Sequence, residues 1–222
     1  ATPLATDGAS VRNDKRYLIL PLHHVEEIGT DPTDAVNFAR RTLDATAIGM
    51  KSDTPGAAVI GMVLGGIVTR GLDDQKVVGK DRDEWIGYRD NLLRACEAYP
   101  ARPLAGIWAD GPYLHNGSVP TLLDLLTPAA ERPKEFFTGN LEFDPVKVGR
   151  ETTGFPGGFL FKTSLTGNSN SGHEFGTMLT AEEKTDLIEY LKQVPPPAST
   201  LETVAPDPNY ACPQPPAKTA SR

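Results

Sequence analysis

Gly111-Pro112-Tyr113-Leu114-His115-Asn116-Gly117-Ser118-Val119-Pro120-Thr121-Leu122 is the stretch on which the reading of this chain turns. Its glycines and prolines permit tight, unusual backbone angles, and they would let the His115 imidazole reach inward. Working outward, residues 101 to 176 break into short pieces separated by Gly, Pro and Asn. One brief helix is predicted there, Val119–Leu126, capped by Ser118. A loop of that length inside a compact domain is functional or disordered. Trp108, Tyr113, Phe136, Phe137, Phe143, Phe155, Phe159 and Phe161 supply the aromatic area that disordered segments lack. An ordered, functional loop region is therefore expected.

The flanks are more regular. Thr180-Ala181-Glu182-Glu183 is a capping box opening a helix with Leu187, Ile188, Leu191 and Val194 on one face, and Pro195-Pro196-Pro197 stops it. Upstream, Gly29-Thr30-Asp31-Pro32 reads as a turn delivering a helix, with Asp31 or Thr33 at its N-cap and Val36, Phe38, Ala39 and Leu43 as its apolar positions. A second helix is predicted over Pro55–Arg70. Its Gly61, Gly65 and Gly66 each cost roughly 1 kcal/mol of helicity, a loss tolerated where another helix or a flat ligand must approach. A third, Arg82–Tyr99, places Trp85, Tyr88, Leu92, Leu93 and Cys96 as a core-facing stripe. Tyr17–Leu22 is the first packed segment. Residues 1–16 read as a flexible N-terminal segment, and 195–222, with eight prolines, as a tail or wrapping arm.

Composition narrows the function classes. The 222 residues suffice for a real core, and 22 Lys plus Arg against 29 Asp plus Glu leave a net charge of −7. That balance argues against nucleic acid, which needs a basic surface. The mean hydropathy is −0.32. The longest apolar stretch, Ala57 to Val68, falls short of the roughly 20 residues a membrane span requires, so no span is expected. The 21 glycines and 20 prolines imply long ordered loops, the kind that wrap a cofactor. The opening residues lack an apolar signal region. Cys96 and Cys212 form no CxxC or CxxCH motif; Cys96 is either half of a disulfide with Cys212 or a small core residue.

Four histidines could carry chemistry. His23 and His24 lie beside Glu26 and Glu27 and read as a solvated polar run outside any site. His115 is either functional or a residue that hydrogen-bonds a neighbouring loop. His173 ends Gly167-Asn168-Ser169-Asn170-Ser171-Gly172-His173, a small-residue loop beside the capped helix, and has the features of a metal or haem ligand. No second ligand stands at i+3 or i+4, which favours a cofactor that brings most of its own ligands. There is no GxSxG, P-loop or GxGxxG. Asp110, Glu142, Asp144 and Glu174 are loop carboxylates whose separation the sequence leaves open.

Five ordered motifs, Ala101 to Trp108, Gly111 to Leu122, Glu142 to Pro145 with Val148-Gly149, Asn168 to Gly176, and Glu183-Lys184 with Leu187 to Lys192, carry a resemblance. With Gly29 to Pro32 and Asn37 to Ala39 they cover roughly residues 17 to 194. The chain resembles the C-terminal cytochrome c domain of di-haem c-type proteins, in the rubber-oxygenase-like group related to the di-haem cytochrome c peroxidases. The resemblance implies a mainly α, cytochrome c-like fold with long Gly/Pro-rich loops and few short strands, forming one haem domain over 17–194. It implies haem c, with His173 as the axial ligand to iron, His115 beside the haem, and Arg102, Trp108 and Tyr113 at its propionates or edge. It implies a periplasmic or secreted oxidoreductase of peroxidase or oxygenase type. The family attaches haem through a CxxCH just upstream of the segment matching Tyr17 to Pro32, and that motif is absent here. The expectation is a C-terminal part that completes its haem site with an N-terminal haem-bearing segment or chain, is not competent alone, and meets a further redox partner. With both axial positions filled by histidine, such a haem would favour electron transfer. The competing class is a haem-free binding or interaction module on the same fold.

Overall fold

The computed structural model describes residues 2–4, 17–19, 21–86, 93–194 and 212–217. Their elements in chain order are β1 (Thr2–Leu4), β2 (Tyr17–Ile19), β3 (Leu22–His24), α1 (Val25–Ile28), α2 (Thr33–Arg40), β4 (Thr42–Leu43), β5 (Thr54–Pro55), α3 (Gly56–Asp74), α4 (Gly79–Trp85) and β6 (Ala98–Pro100). Then follow α5 (Leu122–Leu125), β7 (Glu135–Thr138), β8 (Phe143–Asp144), β9 (Gly149–Arg150), β10 (Phe159–Lys162) and α6 (Ala181–Gln193). Helix accounts for only 35% and strand for 14%. The mainly α expectation is therefore corrected: the fold mixes short helices with short paired strands. The reason lies in the loop region, where glycines and prolines interrupt helical runs and leave backbone groups that pair as two-residue to four-residue ladders.

Two compact units emerge. Unit 1 comprises Ala1–Leu22, Ala35–Ala98 and Thr200–Pro213, and unit 2 comprises His23–Asp34, Tyr99–Ser199 and Gln214–Arg222. In unit 1, β1 pairs antiparallel with β2 and β4 with β5. Its buried residues include Ala45, Val59, Leu72 and Val77. A disulfide joins Cys96 to Cys212, deciding the question the sequence left open.

Helix α3 runs four residues beyond the predicted Arg70 end. Lys76 then takes a left-handed turn at φ 57°, and the Val77 N–H donates back to Leu72 O at 2.9 Å. By length and composition alone α3 is long and apolar enough to cross a membrane, yet only 17% of its most apolar window is buried. Nothing lies within 4 Å of a Cβ built on Gly65 or Gly66, and Gly61 meets only Leu93 Cβ at 3.9 Å. The close approach expected at those glycines is absent among the described residues. The predicted third helix is also corrected. It ends at Trp85 as α4, Trp85 and Leu93 are exposed, and 93–97 are non-helical before β6. Tyr88 and Leu92 lie outside the described residues.

Unit 2 holds the larger core. Tyr113, Val119, Leu122, Leu126, Val148, Ile188 and Leu191 form one buried cluster, with Ile107, Leu187 and Val194 packed against it. α6 forms as its sequence dictates: Thr180 Oγ1 accepts from the Glu183 N–H at 3.2 Å and Glu183 Oε2 from the Thr180 N–H at 2.8 Å. Ile188 and Leu191 are its buried stripe. α5 is half the predicted length. Thr121, not Ser118, is its cap, accepting from the Asp124 N–H at 3.1 Å, because Val119 bridges to Tyr113 and Thr121 is still extended, so the helix starts only at Leu122; the Ser118 hydroxyl donates instead to Ser169 O at 3.0 Å. The β7·β10 ladder sets Phe136 opposite Phe161, and β8·β9 sets Phe143 opposite Arg150. His24, read as solvated, is buried; its Nδ1 accepts from the Glu26 N–H at 3.2 Å and caps α1.

Candidate functional site

The candidate site is built from two loops of unit 2, Ile28–Asp31 and Asn168–His173. Gly172 is required where they meet. A Cβ there would lie 2.3 Å from Gly29 C and 2.4 Å from Ile28 O and Thr30 N, and its φ is 70°. The His173 N–H donates to Ile28 O at 2.8 Å, the Ser171 hydroxyl to Gly29 O at 3.2 Å, and the Ser169 N–H to Asp31 Oδ2 at 3.0 Å. Asp31 also caps α2, accepting the Thr33 N–H at 2.9 Å. Burial would raise its carboxyl, but the hydrogen bonds from Thr33 and Ser169 outweigh it and hold the group below the usual carboxylate range.

The second loop is pinned from its other side as well. Asn116 Nδ2 donates to Gly167 O at 2.9 Å and Ser169 O at 3.0 Å, and Asn170 Nδ2 donates to Pro133 O at 2.8 Å. Thus the polar residues of the Asn168–His173 segment are there to fix its backbone, a role hydrogen-bonding amides and hydroxyls fill well in irregular loops.

His173 itself sits at φ 51°, a conformation that costs a residue with a Cβ about 1–2 kcal/mol. Its ring packs edge-on to Phe175 with centroids 5.0 Å apart, and its Nδ1 is buried without a hydrogen-bond partner. Burial, aided by the nearby Arg132 charge, pushes its pKa down, so the imidazole is neutral at pH 7. Neutral imidazole is the form that ligates metals. His115 stacks on Tyr99, with centroids 3.7 Å apart and planes 12° from parallel, and its Nε2 is likewise buried and unpartnered. Burial lowers its pKa against the opposing charges of Asp34 and Asp31. Tyr99 Oη donates to Asp31 O at 2.9 Å. Thr30 Oγ1 is the third buried atom without a partner among the described residues. His115, through Tyr99, and His173, through its N–H, are thus tied to the same 28–31 segment that contains Thr30.

The other expected site residues gather elsewhere in unit 2. Arg102 is exposed, pairs with Asp110, and lines an open cleft of about 280 Å³ with Ala105, Gly106 and Ile107. Trp108 packs edge-on to Phe143 at 6.0 Å. Tyr113 is a core residue whose hydroxyl is shared among Ile107 O at 3.1 Å, Trp108 O at 3.3 Å and Val148 O at 3.4 Å. Among the described residues, no hydrogen bond, ion pair or ring contact joins this group to His115 or His173. Nor is there a group of three or more His, Cys, Asp or Glu able to hold a metal among those residues.

Arg132 is the residue that sequence reading missed. It stands in Glu131-Arg132-Pro133, where spacing offers no hint of burial, yet it is only 1% exposed. Asp31 was legible only as a cap, and Tyr99 as the end of a predicted helix, whereas it lies in strand β6.

Residues 98–137 match the family described as RoxA-like, cytochrome c-like, which supports a cytochrome c-like domain of that family in this chain. The matched span includes Arg102, Trp108, Tyr113, His115 and Arg132 but not His173. The protein y4iJ of Sinorhizobium fredii (strain NBRC 101917 / NGR234) is 45% identical over 190 residues, covering 80% of this chain and 32% of y4iJ. A second protein of that organism, y4iM, is 37% identical over 120 residues, covering 44% of this chain and 28% of y4iM. The chain therefore spans about a third of the length of these relatives, and both bear names that state no activity.

Proposed function

We propose that unit 2 forms one side of a c-type haem site serving electron transfer, with His173 supplying an axial imidazole. The cytochrome c-like match gives the class; a haem-binding, electron-transfer role is the most it carries. The observation that supports this chain's part is the neutral, half-buried imidazole of His173, whose Nδ1 is buried without a hydrogen-bond partner, held on a backbone that two loops and Arg132 fix. An imidazole nitrogen left without a partner costs about 1–3 kcal/mol, a cost that ligation on the ring would help offset. The residues present thus fit an iron-bearing macrocycle at the level of the ligand. Phe175 and Met178, exposed on the turn that follows His173, add apolar surface suited to a flat ring. Arg102 and Trp108 are the groups for its edge, and Tyr113 supports Trp108 from behind through its carbonyl. The haem, once bound, supplies a one-electron couple. The protein's own part is to orient the imidazole, keep it unprotonated and exclude water from Nδ1.

The reading keeps the haem-binding part within 17–194, with 1–16 and the Pro-rich 195–222 outside it. Haem c would be attached through a CxxCH outside this sequence, on an N-terminal segment or partner chain, in a peroxidase-like or oxygenase-like oxidoreductase. Its place would be periplasmic or secreted, where the Cys96–Cys212 disulfide persists. The reading gives it no nucleic-acid partner and no membrane span; α3 is long and apolar enough for a span by length and composition alone, and Arg70, Asp73 and Asp74 stand at its C-terminal end.

The test is the ferric spectrum of the haem-loaded full protein. His173→Ala should convert low-spin iron to high-spin. A low-spin spectrum that persists in the His173→Ala/Met178→Ala double variant would overturn the ligand assignment. A colourless protein with no Soret band would favour the haem-free interaction module, and a Soret band lost on acid-acetone extraction would show that the haem is not covalently attached.

A further inference from the structure

Arg132 is the largest side chain that is almost fully buried, and no ion pair reaches it among the described residues. Taking a guanidinium out of water costs several kcal/mol unless every N–H is satisfied. Here the partners are five backbone carbonyls in two groups. Nε donates to Thr127 O at 2.9 Å and Nη2 to Leu125 O at 3.3 Å, both at the end of α5. Nη1 donates to Asn170 O at 2.7 Å and Gly172 O at 2.8 Å, and Nη2 to His173 O at 3.2 Å. The fork therefore ties the end of a core helix to the three carbonyls that precede and include the histidine. Only a planar, five-donor group can span such a set; a lysine ammonium offers three donors from one point.

We propose that Arg132 is the positioning residue for His173: its fork holds the Asn170, Gly172 and His173 carbonyls, keeps His173 in its left-handed conformation, and so fixes where the imidazole points. This rests on the reading of His173 as an iron ligand. Two features of the geometry carry it. His173 at φ 51° lacks the freedom of glycine, so something must hold it there, and its N–H and its carbonyl are each claimed, by Ile28 and Arg132. The carbonyls gathered by Arg132 lie in buried or half-buried surroundings where the guanidinium supplies their donors, so the loop and the arginine depend on each other. The guanidinium also brings a positive charge, partly offset by the nearby Glu174 and Asp124 carboxylates, and removing it disfavours the reduced form of a group bound at His173.

The experiment uses the full protein, with and without haem, carrying Arg132→Lys and Arg132→Met. Without haem, amide exchange at His173 reads the clamp directly. Arg132→Met should speed it about tenfold or more relative to α6 core amides, the scale of losing a hydrogen bond to a charged group. With haem, Arg132→Met should raise the high-spin fraction and lower the midpoint potential. A tenfold shift in the oxidised-to-reduced ratio is about 59 mV for one electron. Arg132→Lys, which keeps the charge and loses the fork, should raise the high-spin fraction while leaving the potential near wild type. If Arg132→Met fails to fold, Arg132→Lys decides: faster His173 exchange supports the clamp, and wild-type exchange and spin state overturn it. A variant that merely melts lower, with His173 exchange and spin state unchanged, also overturns it. Should His173→Ala leave the iron unchanged in the wild-type background, the ligand reading falls, and the exchange data still judge the clamp.

Discussion

In unit 2 a Cβ on Gly172 or Gly149 would lie 2.3 Å from a backbone atom, whereas in unit 1 Gly65, Gly66 and Gly71 of α3 have nothing within 4 Å. The same residue type serves opposite ends. In unit 2 it lets two backbones touch, and the loops so joined carry His173. In unit 1 it runs along a helix whose Met62, Val63, Leu64, Ile67 and Val68 remain exposed. Among the described residues, close packing and a dense hydrogen-bond set mark the part that presents His173, while those of unit 1 show fewer buried apolar side chains and the Cys96–Cys212 link. The contrast teaches that glycine count alone says nothing about a site; what a glycine faces does.

The largest expected effect falls on that link. Cys96 and Cys212 are 116 residues apart, and closing a loop of that size restricts the unfolded chain by about 4–5 kcal/mol on the chain-entropy account. Reduction, or Cys96→Ser with Cys212→Ser, should accelerate amide exchange along α3 far more than along α6. Equal acceleration in both helices would break the comparison.

Next comes Gly172→Ala. The added methyl overlaps three backbone atoms and the position is left-handed, so the loops must part; a loss of about 3 kcal/mol or more is expected. Thermal unfolding followed at α6 would register it, and a wild-type midpoint would mean that the two loops are not in contact. The counterpart in unit 1 has the opposite sign. Gly65→Ala and Gly66→Ala lie in open space inside a helix and should each stabilise α3 by up to about 1 kcal/mol. A destabilisation there would reveal a partner seated on α3.

How much of this was legible follows from the range over which each feature is determined. α6 was readable because its capping box and its stripe, Ile188 and Leu191 above all, are local signals within one helix. α2 and its Asp31 cap were readable for the same reason, except that the helix ends at Arg40 and Leu43, expected on its apolar face, lies in β4. The third helix misled because Trp85, Tyr88, Leu92, Leu93 and Cys96 keep helical spacing, while the disulfide at Cys96 and the strand at Ala98–Pro100 are set by residues far away in the chain. Ser118 looked like a cap, but bridges of Val119 to Tyr113 and of Thr121 to the distant Gly149 keep the following residues extended, so the helix starts later. The position of His173 on an irregular, small-residue loop was visible; the clamp behind it was not, since Arg132 meets carbonyls 38 to 41 residues away and no local pattern encodes that.

The smallest effect is the response to pH, and it separates the units cleanly because His23, His24, His115 and His173 all fall in unit 2. Burial holds His115 below its ordinary value of 6.5. Between that depressed value and about 6.5 the unfolded chain binds more protons than the folded one, so stability is full above 6.5 and falls as the solution is acidified through this window. Asp31 acts lower down: its depressed carboxyl contributes above the model-peptide value of 3.8, and that contribution is lost as pH falls through its folded value. Taking the full chain from pH 7.5 to 5.5 should therefore speed amide exchange in α6 beyond the intrinsic pH dependence and leave α3 on it. His115→Phe, which keeps a ring to stack on Tyr99 but cannot bind a proton, should flatten part of the α6 response. Equal slopes in α3 and α6, or a His115→Phe profile that matches wild type, would show that the buried imidazole of unit 2 does not couple protonation to its stability.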